Sequence, residues 1–152
     1  MVAFLVMALF VVLAGAARAA SNETTGGEIV KTVQRRIAEA IAKAEGFYVP
    51  GSVPARLHNP GDLTADIGGA LEGGRVIGFE GIYARYATDD DGWADLELFV
   101  AMMLNNRSRI YNRDMTIAQV SQKYTATAQM YWASIVARQL GVSVDTKLSQ
   151  IM

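Results

Sequence analysis

Apolar residues recur at four-residue intervals early in the chain, at Ile29, Val33, Ile37 and Ile41. This spacing predicts one buried stripe along a helix that runs from about residue 28 to residue 45. The next position of the stripe is Glu45, and it is followed by Gly46, a residue type that commonly ends helices. The pattern therefore predicts a helix that ends by directing a carboxyl group along its own buried face.

A glycine-rich segment, residues 46–88, separates this helix from a helical C-terminal part. Its turn signals enclose two short β-like runs, at 75–77 and 82–86, which predict a hairpin or a small sheet. The later apolar spacing predicts a helix that is capped and begun within 88–91 and ends at about residue 104, helices over about 117–123 and about 126–140, and a final turn over 148–151. The predicted fold class is mainly α (α+β), a helical domain with a small β lobe after the first helix.

The N-terminal segment is apolar from Met1 to Ala16 and predicts a signal peptide over residues 1–19, with a small-x-small cleavage site at its end. The run is short for a membrane span, which needs about 20 residues. No Lys or Arg precedes the apolar core, so an uncleaved anchor or a start further upstream stays open. Residues 20–27 are a predicted linker and residues 28–152 one domain, in the periplasm or secreted, with membrane contact only through the N-terminal segment.

The amino-acid composition excludes several classes of partner and of catalytic site. The formal net charge is -1, from 14 basic and 15 acidic residues, so we expect no nucleic-acid partner. The chain has no cysteine, which excludes disulfides and thiolate chemistry, and its one histidine, His58, excludes a multi-histidine metal site. We therefore expect no metal and no cofactor, and any catalysis must use carboxylates, hydroxyls and amides.

Glu45 is the candidate catalytic residue on physical grounds. Burial and the negative end of the helix dipole both disfavour the ionised carboxylate, so the pKa of Glu45 should rise. A carboxylic acid that stays protonated near neutral pH can serve as a general acid. The alternative is an ordinary C-terminal glutamate whose side chain bends back into solvent.

Several motifs follow one another in a characteristic order. The Glu-Gly pair at residues 45–46 precedes the loop Arg56-Leu57-His58-Asn59-Pro60-Gly61-Asp62-Leu63, and an aromatic β run over 79–86 precedes the segment 91–96. Together with the C-terminal pattern over 115–146, this order resembles the lysozyme-like domain of phage and bacterial lytic transglycosylases (SLT-like). The likeness spans about residues 36 to 149.

The resemblance implies cleavage of the β-1,4 bond between N-acetylmuramic acid and N-acetylglucosamine in the glycan strands of peptidoglycan. Glu45 would match the family's single catalytic acid, which protonates the glycosidic oxygen and then acts as base on the C6 hydroxyl, leaving a 1,6-anhydro end. Two alternatives stay open: a hydrolytic muramidase of the phage endolysin type, and a non-catalytic peptidoglycan-binding or assembly module. We expect a monomer.

Five further residues are candidates for contact with the substrate, namely Asn59, Asp62, Tyr86, Tyr124 and Tyr131. Asn59 is held extended by the following proline, and its amide either bonds an acetamido group or braces the loop. Asp62 lies in the same turn, where an aspartate commonly bonds its own backbone. In similar domains an aromatic hydroxyl between the last two helices often bonds the catalytic Glu or the sugar, the role expected of Tyr124 or Tyr131. For all three tyrosines the alternative is packing in or against the core.

A second carboxylate would have to come from the β-lobe region, where Asp62, Asp66 and Glu80 are the candidates. Two-carboxylate glycosidases place the second group across the scissile bond. A transglycosylase mechanism needs none, so the sequence leaves open whether water takes part in the reaction.

Overall fold

The structure is a computed structural model that describes residues 29–30, 32–65 and 73–151. The chain divides into two compact units, Met1–Val33 and Gln34–Met152. In the first unit, the described residues 29–30 and 32–33 are helical. The predicted signal peptide and linker lie outside the described residues, and the second unit carries the remaining elements.

The second unit is a mainly helical domain with a small antiparallel hairpin, as predicted. It opens with helix α1, which ends at residue 44. The elements that follow are α2 (Val53–Arg56), β1 (Gly78–Glu80), β2 (Tyr83–Arg85), α3 (Asp89–Leu104), α4 (Ile117–Tyr124), α5 (Gln129–Leu140) and a 3₁₀ turn (Leu148–Gln150). None of the helices in the described ranges is long and apolar enough to cross a bilayer.

Helix α1 ends in a geometry that fixes the position of Glu45. Gly46 adopts a left-handed φ of 78°. The N–H of Gly46 donates to the carbonyl of Lys43 (3.2 Å), and the N–H of Phe47 donates to the carbonyl of Ala42 (3.0 Å). These are the two hydrogen bonds of a Schellman motif, with Glu45 at the C-cap. The predicted stop at Gly46 is confirmed.

The four longer helices share one apolar core. Side chains from α1, α3, α4, α5 and the 3₁₀ turn line a small internal void: Ile37, Ile41, Met103, Ile117, Val120, Trp132, Val136 and Leu148. Ile37 and Ile41, the two positions of the predicted stripe that belong to the second unit, are both buried.

The β element is a single hairpin in which Phe79 of β1 pairs with Ala84 of β2. Strand β1 lies later in the chain than the predicted run at 75–77, because Gly81, with a φ of 62°, forms the turn. The glycine, rather than the apolar run before it, therefore sets the register of the hairpin.

Two helices also differ from prediction. Helix α5 begins at Gln129 rather than near residue 126, because Ala128 has a left-handed φ of 52° directly before it. The glycine-rich segment contains the unpredicted helix α2, capped by the Ser52 hydroxyl, which accepts a hydrogen bond from the N–H of Ala55. The capping box of Thr116 and Gln119 is present at the start of α4, as predicted.

Candidate active site

A cleft of about 460 Å³ opens beside the C-terminal end of α1. Glu45 and Asp62 both line it. Its other described lining residues are Thr64, the hairpin residues Ile82 and Tyr83, and the segment Gln122–Thr127 at the end of α4. The cleft therefore brings the candidate acid together with one of the three candidate second carboxylates.

Trp132 of α5 holds the carboxyl group of Glu45. Its indole Nε1 donates a hydrogen bond of 2.6 Å to Oε1 of Glu45, and the tryptophan is only 5% exposed. Burial raises the pKa of Glu45 to about 7, the negative charge of Asp62 adds to this, and the Trp132 hydrogen bond opposes it. The shift has the direction predicted from the sequence, so a large fraction of Glu45 is protonated near neutral pH.

Asp62 lies in the same cleft in an unusual environment. Its backbone has a left-handed φ of 47°, a conformation that costs energy for a residue with a side chain. Its Oδ1 atom is buried and has no hydrogen-bond partner among the described residues, so the expected bond from Asp62 to its own backbone is not formed. Burial raises the pKa of Asp62 to about 6.

Asn59 builds the loop that presents Asp62. Its Nδ2 donates to the carbonyls of Leu63 (3.0 Å) and Ala84 (2.9 Å), and its Oδ1 accepts from the N–H of Leu63 (2.8 Å). The side chain is 0% exposed, so it has no surface to offer a sugar. Of the two roles considered for Asn59, the structure shows the scaffold, and the substrate contact has to be withdrawn.

Tyr124 forms part of the cleft and supports both carboxylates indirectly. Its hydroxyl donates to the carbonyl of Gly61 at 2.6 Å, and its ring stacks on Trp132 with centroids 5.0 Å apart. The hydroxyl therefore bonds the loop beside Asp62 rather than Glu45. The Tyr124 ring packs against Trp132, the residue whose indole donates the hydrogen bond to Glu45.

The other two candidate tyrosines lie away from the lining of the cleft. Tyr86 is 1% exposed and belongs to the core, so a sugar cannot stack on it. Tyr131 is 70% exposed on α5 and is not among the described residues that line the cleft. The contact predicted for Tyr86 is therefore excluded by burial, and the cleft gives no support to the one predicted for Tyr131.

Glu80, the other described candidate for a second carboxylate, is not among the described residues that line the cleft. Asp66 lies outside the described residues. Glu80 is exposed and forms a two-point ion pair with Arg56, at 2.8 and 3.3 Å. That pairing lowers the pKa of Glu80, as expected for a surface carboxylate beside a guanidinium.

Two aromatic residues near Glu45 were not recognised as site residues from the sequence. Trp132 lies at an apolar position of α5 and within the C-terminal pattern that carries the resemblance, and the sequence predicts no site role for it, yet its indole is the hydrogen-bond partner of the acid. Tyr111 lies in the loop before α4, and its hydroxyl is buried without a hydrogen-bond partner in the described part of the chain. Burial raises the pKa of Tyr111, and the negative charge of Glu45 adds to this, so the hydroxyl stays neutral.

Within the ranges that the structure describes, no group of three or more His, Cys, Asp or Glu side chains is arranged to hold a metal ion. The described lining of the cleft offers one carboxyl group with a pKa of about 7, a second carboxyl group, several hydroxyls, one amide side chain and one ammonium group. Comparison with protein-family models, curated proteins and solved structures found no match.

Proposed function

We propose that this protein is an exported enzyme that cuts the glycan strands of peptidoglycan, in the manner of a lytic transglycosylase, with Glu45 as general acid. The observation that carries the proposal is the environment of Glu45: a carboxyl group in an open cleft, bonded to Trp132, with a pKa raised to about 7 by burial. Glycosidic bonds need such an acid, because the leaving oxygen must be protonated as it departs.

The hydrogen bond from Trp132 assigns separate roles to the two oxygens of Glu45. In the proposed mechanism Oε1 keeps the hydrogen bond from the indole and Oε2 carries the proton of the neutral acid. This proton moves to the glycosidic oxygen as the bond from that oxygen to C1 of the muramic residue breaks. The resulting carboxylate takes the proton of the C6 hydroxyl, whose oxygen bonds to C1. Glu45 is again protonated, and the product carries a 1,6-anhydro end.

Asp62 supports a second candidate, hydrolysis by a muramidase. Asp62 lines the same cleft as Glu45, and a carboxylate in that position is suited to take a proton from an attacking water, as in two-carboxylate glycosidases. The leaving-group step by Glu45 would be unchanged, but the product would carry a reducing end. The two candidates therefore share the acid and differ in the nucleophile.

The first experiment compares purified sacculi treated with wild type, Glu45→Gln and the control Glu80→Gln. Both variants replace a carboxylate by its isosteric amide, but Glu80 is exposed and outside the cleft lining. We expect Glu45→Gln to release no soluble fragments while Glu80→Gln behaves like wild type. Full release by Glu45→Gln would contradict the proposal, and binding without release by wild type would instead support a non-catalytic module.

A further inference from the structure

A second cavity, of about 390 Å³, lies next to the cleft. The two cavities share part of their lining, since Gln122 and Lys123 of α4 border both. The remaining described lining of the second cavity comes from Asn112, Asp114 and Met115 in the loop before α4, and from Gln119. The cleft therefore continues along α4, away from Glu45.

The chemistry of the second cavity differs from that of the cleft. The cleft has the aromatic residues Tyr83 and Tyr124, whereas the described lining of the second cavity contains no aromatic side chain. It has three amide side chains, one ammonium group and one carboxylate instead. Such a surface matches backbone N–H and C=O groups and charges of both signs better than the flat face of a sugar ring.

Several of these polar groups are free to bind a ligand. Gln119 uses its Oε1 to cap the backbone of Thr116, and this leaves its NH₂ group available. The Oδ1 of Asn112 likewise accepts a hydrogen bond from the N–H of Asp114, and this leaves the NH₂ group of Asn112 available. In the described part of the chain, the side chains of Lys123 and Asp114 form no hydrogen bond or ion pair.

We propose that the second cavity binds the peptide branch of the glycan, the chain of amide bonds, carboxylates and an amine that peptidoglycan carries on its muramic residues. This inference rests on the proposed function, since a peptide branch belongs to the substrate only if the protein acts on peptidoglycan. Lys123, between the two cavities, pairs with a carboxylate of the branch, and Asp114, in the second cavity alone, pairs with its amine.

The test measures the preference of the enzyme for glycan strands that carry peptides over strands that lack them. Glycan strands with their peptides, and the same strands stripped of peptides by an amidase, are digested with wild type, Asp114→Lys and Asp145→Lys. Asp145 is a matched control because it undergoes the same charge reversal, is exposed and lines neither cavity. Thermal unfolding of each variant verifies that it is folded.

We expect wild type to have the higher kcat/KM on peptide-bearing strands. Asp114→Lys should lower the ratio of the two kcat/KM values about fivefold, the effect of one exposed charge contact, whereas Asp145→Lys leaves the ratio unchanged. A wild type that cuts both substrates equally well, or an Asp114→Lys variant with an unchanged ratio, would overturn the peptide site and leave the proposed function standing. A wild type that cuts neither substrate would overturn both.

A binding measurement provides a readout independent of turnover. The folded Glu45→Gln variant is titrated with a free stem peptide and followed by amide NMR. We expect shifts at Asn112, Gln119 and Lys123, with none at Asp145. Shifts confined to residues outside the second cavity, or the absence of shifts at millimolar peptide, would contradict the proposal.

Discussion

The indole Nε1 of Trp132 lies 2.6 Å from Oε1 of Glu45 and donates a hydrogen bond to it, linking α5 to the end of α1. This bond favours the ionised carboxylate, whereas burial favours the neutral acid, and burial has the larger effect. The tryptophan thus holds the acid in place and limits how far its pKa rises. A group that has to give up a proton and later take one back benefits from this balance.

Replacing the donor should move the titration of the acid. In Trp132→Phe the hydrogen bond that lowers the pKa of Glu45 is lost, so we expect the descending alkaline limb of kcat/KM to shift to higher pH. The maximum rate should also fall, because Oε1 is no longer oriented. Trp93→Phe is the control, since Trp93 packs on Phe47 and under Arg35 rather than on Glu45. An unshifted limb in Trp132→Phe would argue against this role of the indole.

The raised pKa of Glu45 has a consequence for stability. The folded-state pKa of Glu45, about 7, lies above the ordinary glutamate value of 4.5, so the native state binds the proton more tightly than the unfolded chain. The stability that protonated Glu45 contributes to the fold is therefore lost as the pH rises from about 4.5 to 7. Glu45→Gln removes this pH dependence. We therefore expect the free energy of unfolding of Glu45→Gln, compared with that of wild type, to be about 1–3 kcal/mol more favourable to the variant at pH 8 than at pH 4.

Urea unfolding of wild type and Glu45→Gln at pH 4 and pH 8 measures this difference. Glu39→Gln is a suitable control, since Glu39 lies on the same helix in a partly exposed ion pair with Arg35. Equal stability differences for Glu45→Gln at the two pH values would show that Glu45 has an ordinary pKa in the folded protein.

Asn59 should matter for stability. Asn59→Ala leaves the N–H of Leu63 and the carbonyl of Ala84 without their side-chain partners inside the fold, which we expect to cost about 2–4 kcal/mol. Asn105→Ala, at the exposed end of α3, should cost much less. Urea unfolding is the measurement, and a cost below that of Asn105→Ala would contradict the scaffold role.

Asp62→Asn separates the two reaction routes. If the C6 hydroxyl is the nucleophile, as we propose, turnover and anhydro ends persist. The alkaline limb then shifts to lower pH, because the Asp62 charge that raises the pKa of Glu45 is gone. If water is the nucleophile, the loss of the base should reduce kcat by about 10²–10⁴-fold. A large loss of turnover in Asp62→Asn would therefore replace the transglycosylase by the muramidase.

The parts of the site that are encoded locally could be predicted from the sequence. Glu45 and Gly46 are neighbours, and a helix stop is a property of a few consecutive residues. The partner of the acid could not be predicted, because Trp132 is 87 residues away and its apolar spacing is also that of a core residue. Asn59 shows the same limit, since its burial depends on Ala84 of the hairpin.

The chemical form of the ends released from peptidoglycan distinguishes acid catalysis by Glu45 with an anhydro product from the alternative reactions. Purified sacculi are digested with wild type and with Glu45→Gln, and the released fragments are analysed by mass spectrometry. We expect wild type to release fragments with 1,6-anhydro ends, lighter by one water than their hydrolytic counterparts, and Glu45→Gln to release no fragments. Reducing ends from wild type would contradict the transglycosylase mechanism, and fragments from Glu45→Gln would contradict the role of Glu45 itself.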